Sequence, residues 1–186
     1  MRLSRYYQYQ ILCEDVQMRT FIQSALIHQG INARRIRISN YPCGEGCGEA
    51  FVRREFVREY KIIKSTNYLR KVLIVCTDAD NFEVAERMKV LKQELENNQI
   101  KWEGVKEPII LWIPKRQIET WIRALKGEAV DEEMTFRHTG KPLPCKEEAK
   151  SFSLFCQGIK DVECRNVESL QIAKEEYIRV CQLQQK

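Results

Sequence analysis

The sequence predicts an α/β protein in which a mostly parallel, four-stranded, Rossmann-like sheet carries helices on both faces. Short apolar runs alternate with amphipathic helical patterns, which is typical of parallel strands joined by crossover helices. Hydrophobic residues make up 44% of the 186 residues and charged residues 31%, as in soluble globular chains. No apolar run approaches the roughly 20 residues of a membrane span, and the N-terminal residues resemble no signal segment. We therefore expect a cytoplasmic protein without a membrane partner.

The first part of the chain predicts a strand, a helix and a second strand. Alternating side chains over residues 6–13 predict strand one, and the helical pattern that follows stops at Gly30. Residues 35–39 alternate again and predict strand two. Arg35 and Arg37 are expected on the polar face of that strand.

A basic amphipathic helix is predicted over about residues 49–64, and the face opposite its apolar stripe carries Arg53, Arg54 and Arg58. The Gly-rich loop before it, residues 41–48, is either a flexible connection or a set of backbone N–H groups for a phosphate. It lacks the Lys and Ser/Thr of a P-loop, so nucleotide binding of that kind is not expected.

The third and fourth strands are the most apolar segments of the chain. Residues 72–76 form a β-branched run that ends abruptly in polar residues, and residues 108–114 form a run bounded by prolines. Both read as buried strands of a parallel sheet. Amphipathic helices are predicted after each of them, over residues 82–97 and 117–126.

We expect residues 1–127 to form the α/β domain, residues 128–144 a linker loop, and residues 145–186 a helical C-terminal extension that packs on a sheet edge or on a partner. The eight cysteines are scattered along the chain, and reduced thiols are the expected state. Cys43 and Cys47 have the spacing of half a metal clip, but no second close pair completes a zinc site.

Carboxylates follow two of the predicted strands at the point where each strand ends. Glu14 ends strand one, and Asp78 and Asp80 follow strand three. The carboxyl ends of parallel strands lie at one edge of a sheet, where ligands bind. Carboxylates that converge there repel each other, and Mg²⁺ or Mn²⁺ is the cation that such hard oxygen ligands favour. That ion supports phosphodiester hydrolysis or phosphoryl transfer. The alternative for Asp80 is an N-cap of the following helix.

This order of residues resembles the Toprim domain, which occurs in topoisomerases, primases and nucleases of the overcoming-lysogenization-defect type. The resemblance covers about residues 6–121. It implies proton transfer or metal binding for Glu14 and Mg²⁺ binding for Asp78 and Asp80, the predicted catalytic residues. Asp15 stands where many Toprim domains have glycine, so either Glu14 or Asp15 faces the metal, and Asp15 is equally a candidate helix N-cap.

A second segment is similar to small Toprim-like proteins found with bacterial defence and mobile-element genes. Residues 113–122 contain the pattern Pro-x-x-x-x-Glu-x-Trp, which implies that Glu119 joins the metal ligands. The alternative is that Glu119 only interacts with the dipole of its own helix. The resemblance implies a nuclease of an anti-phage or mobile-element system, with an ATPase or another protein as its partner.

The charge distribution favours a nucleic-acid partner, DNA or RNA. Residues 1–71 hold 13 Lys and Arg against 6 Asp and Glu, a net charge of +7, whereas the whole chain carries +5. The candidate phosphate-binding residues are arginines, which match phosphate oxygens bidentately: Arg35, Arg37, Arg53, Arg54 and Arg58. A solvated basic face is the alternative.

The leading hypothesis is a Mg²⁺-dependent nuclease, and three other classes stay open. A Toprim fold without catalytic activity would be a nucleic-acid- or protein-binding subunit. A Rossmann-like regulator would bind a nucleotide at the acidic edge. Phosphoryl transfer through an aspartyl nucleophile needs a lysine at a later strand end, for which Lys115 is the nearby candidate.

Overall fold

The computed structural model describes residues 1–39, 48–65, 70–136, 143–160 and 167–185. Its strands are β1 (Gln8–Cys13), β2 (Ile36–Ile38), β3 (Lys71–Cys76) and β4 (Ile109–Trp112). Its helices are α1 (Val16–His28), α2 (Gly48–Ser65), α3 (Val84–Asn97), α4 (Ile118–Lys126), α5 (Lys146–Cys156) and α6 (Glu168–Leu183). Two short 3₁₀ turns, Ala33–Arg35 and Gly104–Lys106, precede β2 and β4.

All four strands are parallel, in the order β2-β1-β3-β4. The predicted fold class is therefore confirmed. Strands β1 and β3 are neighbours over their whole length, from Gln8 opposite Lys71 to Cys13 opposite Cys76. Trp112 at the end of β4 lies opposite Cys76. The segments that follow β1, β3 and β4 consequently leave the sheet side by side.

Each face of the sheet is covered by helices and forms its own hydrophobic core. Successive side chains of a strand point to opposite faces. Tyr9 and Ile11 therefore pack in a core with residues of α1, α4, α5 and α6. Leu12, from the same strand, packs with residues of α2 and α3. The predicted arrangement of helices on both faces is observed.

Local signals explain where α1 begins and where α1 and α4 end. The Asp15 side chain accepts a hydrogen bond from Met18 N at 2.8 Å, so Asp15 is the N-cap of α1. Gly30 follows α1 with φ of 84°, and Gly127 follows α4 with φ of 90°. Glycine adopts these left-handed conformations without the strain that a Cβ would cause.

The last two helices belong to the same core as the first strand. The ring of Phe152 in α5 lies 5.3 Å from that of Phe21 in α1, 5.0 Å from that of Trp112 and 5.7 Å from that of Trp121. The segment expected to be an extension thus supplies one side of the principal core.

Helix α6 covers the outer edge of β4 and runs antiparallel to it. Near its start, Ala173 O accepts a hydrogen bond from Trp112 Nε1 at 3.0 Å. One turn later, Glu176 Oε2 accepts from Leu111 N at 3.3 Å. Arg179 then donates to Glu107 O, at the amino end of the strand, at 2.8 Å. Side chains of α6 thereby satisfy backbone groups that an edge strand leaves open.

The two ends of the chain meet at the amino ends of the strands. Ser4 N donates to Gln184 Oε1 at 2.8 Å, and Tyr177 Oη donates to Met1 O at 3.4 Å. Arg2 Nε donates to Gln157 Oε1 at 2.8 Å. These contacts tie the N-terminal residues to α5 and α6.

Several expectations need correction or lie outside the described residues. The placement of Arg35 on strand two is wrong, because Arg35 belongs to the 3₁₀ turn before β2. Helix α3 begins at Val84 rather than at residue 82. The Cys43 and Cys47 pair, most of the Gly-rich loop and residues 137–142 of the predicted linker are not among the described residues. The described cysteines are free and buried: Cys13, Cys76, Cys145, Cys156 and Cys181.

None of the helices in the described part of the chain is both long enough and apolar enough to cross a membrane.

Candidate functional site

The loop after β3, Thr77 to Asp80, sits at the carboxyl edge of the sheet. Ala79 N donates to Pro114 O at 2.8 Å, so this loop is joined to the loop that follows β4. Asp80 has φ of 54°, in the left-handed region. Aspartate tolerates this conformation better than most residues do, although it still carries backbone strain. The helix-cap alternative for Asp80 is wrong, since α3 is capped at Glu83, whose N–H donates to Glu86 Oε2 at 2.9 Å.

Glu14 lies directly beside this loop. Its Oε1 accepts a hydrogen bond from the Thr77 hydroxyl. On the other side is Gly48, the first residue of α2, where an added Cβ would lie 3.1 Å from Glu14 Cβ and 3.1 Å from Glu14 O. A Cβ at position 48 would require Glu14 or the helix to shift by a few tenths of an ångström. The positive end of the α2 dipole therefore approaches the Glu14 residue closely.

Burial raises the pKa of Glu14 to about 7. The hydrogen bond from Thr77 opposes this rise, the Asp80 charge adds to it, and the Arg87 charge lowers it. A carboxyl group with a pKa near neutrality can gain and lose a proton under physiological conditions, as a general acid or base must.

Asp78 is the centre of the acidic cluster, which we define as Glu14, Asp15, Asp78, Asp80 and Glu119. Burial raises the pKa of Asp78 well above its ordinary range, and the charges of the other four carboxylates raise it further. Its Oδ1 atom is buried and has no hydrogen-bond partner among the described residues. The sequence had singled out all five of these carboxylates, and the charges of the other four act on Asp78.

The members of the cluster are positioned by different elements. Asp15 is the N-cap of α1, which was the alternative role predicted for it. Glu119 is the second residue of α4 and only 9% exposed, and its charge contributes to the raised pKa of Asp78. Glu119 therefore lies in the first turn of its helix, as the alternative for it predicted, and its charge also acts on Asp78.

A buried arginine that the sequence analysis missed is bound to Asp80. Arg87 Nη2 lies 2.9 Å from Asp80 Oδ2, and Arg87 Nη1 lies 2.6 Å from Glu49 Oε1. Arg87 is 4% exposed, and its guanidinium lies 5.1 Å from the centre of the Phe82 ring. The signal was present in the sequence, because Arg87 interrupts the apolar stripe of α3 at a core-facing position between Val84 and Leu91.

The loop after β4 contributes two further basic residues to the same edge. Lys115 Nζ lies 2.5 Å from Glu83 Oε1 and 3.2 Å from Glu133 Oε1. Arg116 donates to Asn81 Oδ1 at 2.9 Å and also to Asp80 O. Lys115 is therefore paired with these two carboxylates, an arrangement that does not favour its use in aspartyl phosphoryl transfer.

The predicted nucleic-acid-binding arginines lie on three different elements, the 3₁₀ turn before β2, strand β2 and helix α2. Arg35 donates to Tyr6 O at 2.9 Å, at the amino end of the sheet and thus opposite the cluster. Arg37 is exposed on the edge strand β2. Arg53 lies 2.9 Å from Glu49 and Arg58 lies 2.8 Å from Glu55, so both are ion-paired. Arg54 is exposed, with its guanidinium 6.0 Å from the Phe51 ring.

The residues present fit a hard divalent cation in their chemistry. Carboxylate oxygens are the ligands that Mg²⁺ and Mn²⁺ prefer, and the buried Asp78 Oδ1 has no competing partner among the described residues. In the described ranges, however, no group of three or more His, Cys, Asp or Glu side chains is already arranged to hold an ion. Instead, Glu14 accepts a hydrogen bond from Thr77, and Asp80 accepts one from Arg87.

Comparison of the chain with protein-family models, with curated proteins and with solved structures found no match.

Proposed function

We propose that this chain is a Toprim-like nuclease that hydrolyses phosphodiester bonds of DNA or RNA with Mg²⁺ or Mn²⁺. The observation that carries the proposal is the buried, unpartnered Asp78 Oδ1 within a cluster of five carboxylates. An uncompensated buried charge costs several kcal/mol. A protein gains from such a group when a cation compensates it, and the carboxyl edge of a parallel sheet is where α/β proteins bind ligands.

The roles of the individual residues follow from their surroundings. Asp78, Asp80 and Glu119 would hold the ion together with Glu14, which is either a further ligand or the proton acceptor. When bound, the divalent ion supplies charge stabilisation at the scissile phosphate and a lowered pKa for water. Thr77 fixes Glu14 Oε1 by its hydrogen bond, so that Oε2 is the oxygen we assign to accept a proton from water.

Arg87 has a positioning role in this proposal. It neutralises Asp80 and Glu49 in the absence of the ion, which lowers the repulsion that the cluster would otherwise experience. Because the Asp80 side chain is 55% exposed, it can rotate towards an ion without unpacking the core. Arg87 would then retain its contact with Glu49.

The proposed partners rest on charge and on the Toprim resemblance. The basic N-terminal part of the chain, with a net charge of +7 over residues 1–71, favours a nucleic-acid partner. An ATPase or another protein partner, and a place in cytoplasmic anti-phage defence or in a mobile element, are carried over from the resemblance alone.

The test is cleavage of plasmid, single-stranded DNA and RNA by the purified chain with Mg²⁺, Mn²⁺ or EDTA. We expect metal-dependent cleavage of at least one substrate, lost by at least about 100-fold in Asp78→Asn and Asp80→Asn, as removal of transition-state stabilisation predicts. Glu175→Gln, an exposed carboxylate on α6, is the matched control. A chain that cuts none of the substrates, and whose melting temperature does not rise with Mn²⁺, is not such a nuclease.

A second candidate is a nucleic-acid- or protein-binding subunit without catalysis. Two observations favour it: Asp80 is already ion-paired with Arg87, and Asp15 stands where Toprim domains often have glycine. Such a subunit would bind DNA, RNA or a protein partner equally well with EDTA and with Mn²⁺.

A further inference from the structure

A cleft of about 490 Å³ opens beside the acidic cluster. Asp80 of the cluster lines it together with neighbouring polar, charged and aromatic side chains: Asn81, Phe82, Arg87, Arg116, Glu133 and Thr135. This volume lies within the range of small-molecule sites. The cleft can therefore hold one nucleotide-sized group adjacent to the proposed metal ligands.

Phe82 presents an aromatic ring to this cleft. It is 45% exposed, which is unusual for a large apolar side chain, and the Arg87 guanidinium lies 5.1 Å from its ring centre. Phe82 N donates to Ala79 O at 3.0 Å, and Arg116 donates hydrogen bonds to Asn81 Oδ1 and Asp80 O of the same turn. The ring is thus held by the same short turn that carries Asp80, so its distance from the cluster is set by the backbone.

The charges around the cleft are paired. Asp80 is compensated by Arg87 at 2.9 Å, and Glu133 by Arg116 at 2.5 Å. A cleft without excess charge and with an exposed aromatic ring suits a flat, neutral, polarisable group. Nucleobases have these properties, and their stacking on aromatic side chains is tolerant of sequence.

We propose that this cleft is a nucleobase subsite, in which an unpaired base next to the scissile phosphate stacks on Phe82. The placement of that phosphate rests on the proposed nuclease function. Asn81 and Thr135 carry hydrogen-bonding groups for the edge of the base. A base within a duplex has both faces already stacked, so the substrate class is single-stranded nucleic acid or a strand with an unpaired end.

The test measures binding without cleavage. Fluorescence anisotropy of labelled single-stranded DNA and RNA oligonucleotides is recorded with EDTA at one fixed salt concentration, because salt alone changes such affinities. We expect Phe82→Ala and Phe82→Leu to weaken single-strand binding by about 5- to 150-fold, the loss that one stacked base gives. Phe82→Trp retains binding, and its indole fluorescence is quenched by the oligonucleotide. Val105→Ala, at a 68% exposed residue of the turn before β4, is the matched control.

Abasic oligonucleotides separate stacking from a general loss of structure. In the wild-type chain, removing one base at the stacked position should weaken binding as much as Phe82→Ala does, and the same removal should have no further effect in Phe82→Ala. The subsite is overturned if the wild-type chain does not bind single strands, or if Phe82→Ala and Phe82→Leu both bind them as tightly as the wild type does. It is also overturned if these variants weaken duplex binding as much as single-strand binding. Metal-dependent cleavage by the wild-type chain would still stand in that case. Conversely, Phe82-dependent binding without any cleavage would retain the subsite and overturn the nuclease.

Discussion

At the scale of single residues, Asp78 combines a buried oxygen without a described partner and a pKa raised by burial and by four neighbouring carboxylates. We predict that Asp78→Asn stabilises the metal-free protein, because a buried carboxyl group whose ionisation is unfavourable is replaced by a neutral amide of the same shape. The expected gain is roughly 1–3 kcal/mol in the free energy of unfolding, or about 3–8 °C in melting temperature. It should be largest at alkaline pH, where the carboxylate is charged.

Thermal unfolding with EDTA and with Mn²⁺ checks this prediction. The Mn²⁺-dependent rise in melting temperature expected of the wild-type chain should disappear in Asp78→Asn and persist in Glu175→Gln. A destabilised Asp78→Asn variant would mean that the aspartate has a stabilising partner after all.

Glu14 gives a pH dependence with a defined direction. Its pKa is raised from 4.5 to about 7 in the folded state, so folding takes up a proton between these pH values, and the contribution of Glu14 to stability is fully present at or below about pH 4.5. The contribution of Glu14 is lost as the pH rises from about 4.5 through 7, and the shift corresponds to roughly 3 kcal/mol. We predict that Glu14→Gln flattens this part of the curve.

Urea unfolding of the metal-free chain between pH 5 and 8 measures this effect. The difference between Glu14→Gln and wild type should increase in favour of the variant as the pH rises. A pH-independent difference would show that the Glu14 carboxyl group titrates normally.

The sequence was sufficient to find the carboxylates but not the groups that control them. Glu14, Asp78 and Asp80 could be found because each follows a strand. In a parallel sheet such residues lie at the carboxyl edge. Arg87 is placed by the packing of α2 on α3, and sequence spacing shows only that a charged residue occupies an apolar stripe. The ion pairs of Arg53 and Arg58 likewise depend on where the side chains lie. The number of basic residues in the sequence does not show which of them are paired.

At the scale of elements, Arg87 joins α3 to α2 and to the loop after β3 through its contacts with Glu49 and Asp80. We predict that Arg87→Met lowers the free energy of unfolding by about 1–3 kcal/mol, since it leaves the half-buried Glu49 with a weaker set of partners. The second substitution Glu49→Gln should recover part of that loss, because the uncompensated charge is then removed as well.

A double-mutant cycle in urea measures the coupling between positions 49 and 87. Arg58→Met, at an arginine paired with Glu55 on the solvent side of α2, is the control and should change stability by less than about 1 kcal/mol. Additive effects of Arg87→Met and Glu49→Gln would contradict the coupling.

Helix and strand positions were predicted well where hydrophobic period and end signals agree. Gly30 and Gly127 follow α1 and α4 as expected, because a left-handed residue ends a helix. The start of α3 was predicted at residue 82 instead of Val84, because Asp and Asn are common both in turns and at helix N-caps. Here Asp80 and Asn81 belong to a turn. Only the contact of Glu83 N with Glu86 shows which residue begins the helix.

At the scale of the whole molecule, helices α5 and α6 pack in the same core as the sheet. Phe152, Leu170 and Tyr177 are completely buried in the core that also contains Tyr9 and Trp112. We predict that residues 1–127 alone do not unfold cooperatively, because one face of the sheet and the edge of β4 would be exposed. Circular dichroism during heating tests this.

Residues 143–186 added in trans should restore a cooperative transition if the lost core is the cause. A fragment of residues 1–127 that melts cooperatively at the temperature of the full chain would make the C-terminal helices an independent extension. The sequence showed that these helices are amphipathic, but it carries no signal for the surface that they cover, because the complementary apolar face lies in residues far away along the chain.

The direction of α6 decides how this protein can be attached to other molecules. Since α6 starts beside the carboxyl edge and ends near Ser4, both ends of the described chain leave on the side opposite the acidic cluster. An affinity tag, a fluorescent protein or a surface tether at either end would lie on the side of the molecule opposite the acidic cluster. Immobilised protein should therefore keep its acidic edge open to ligands in solution.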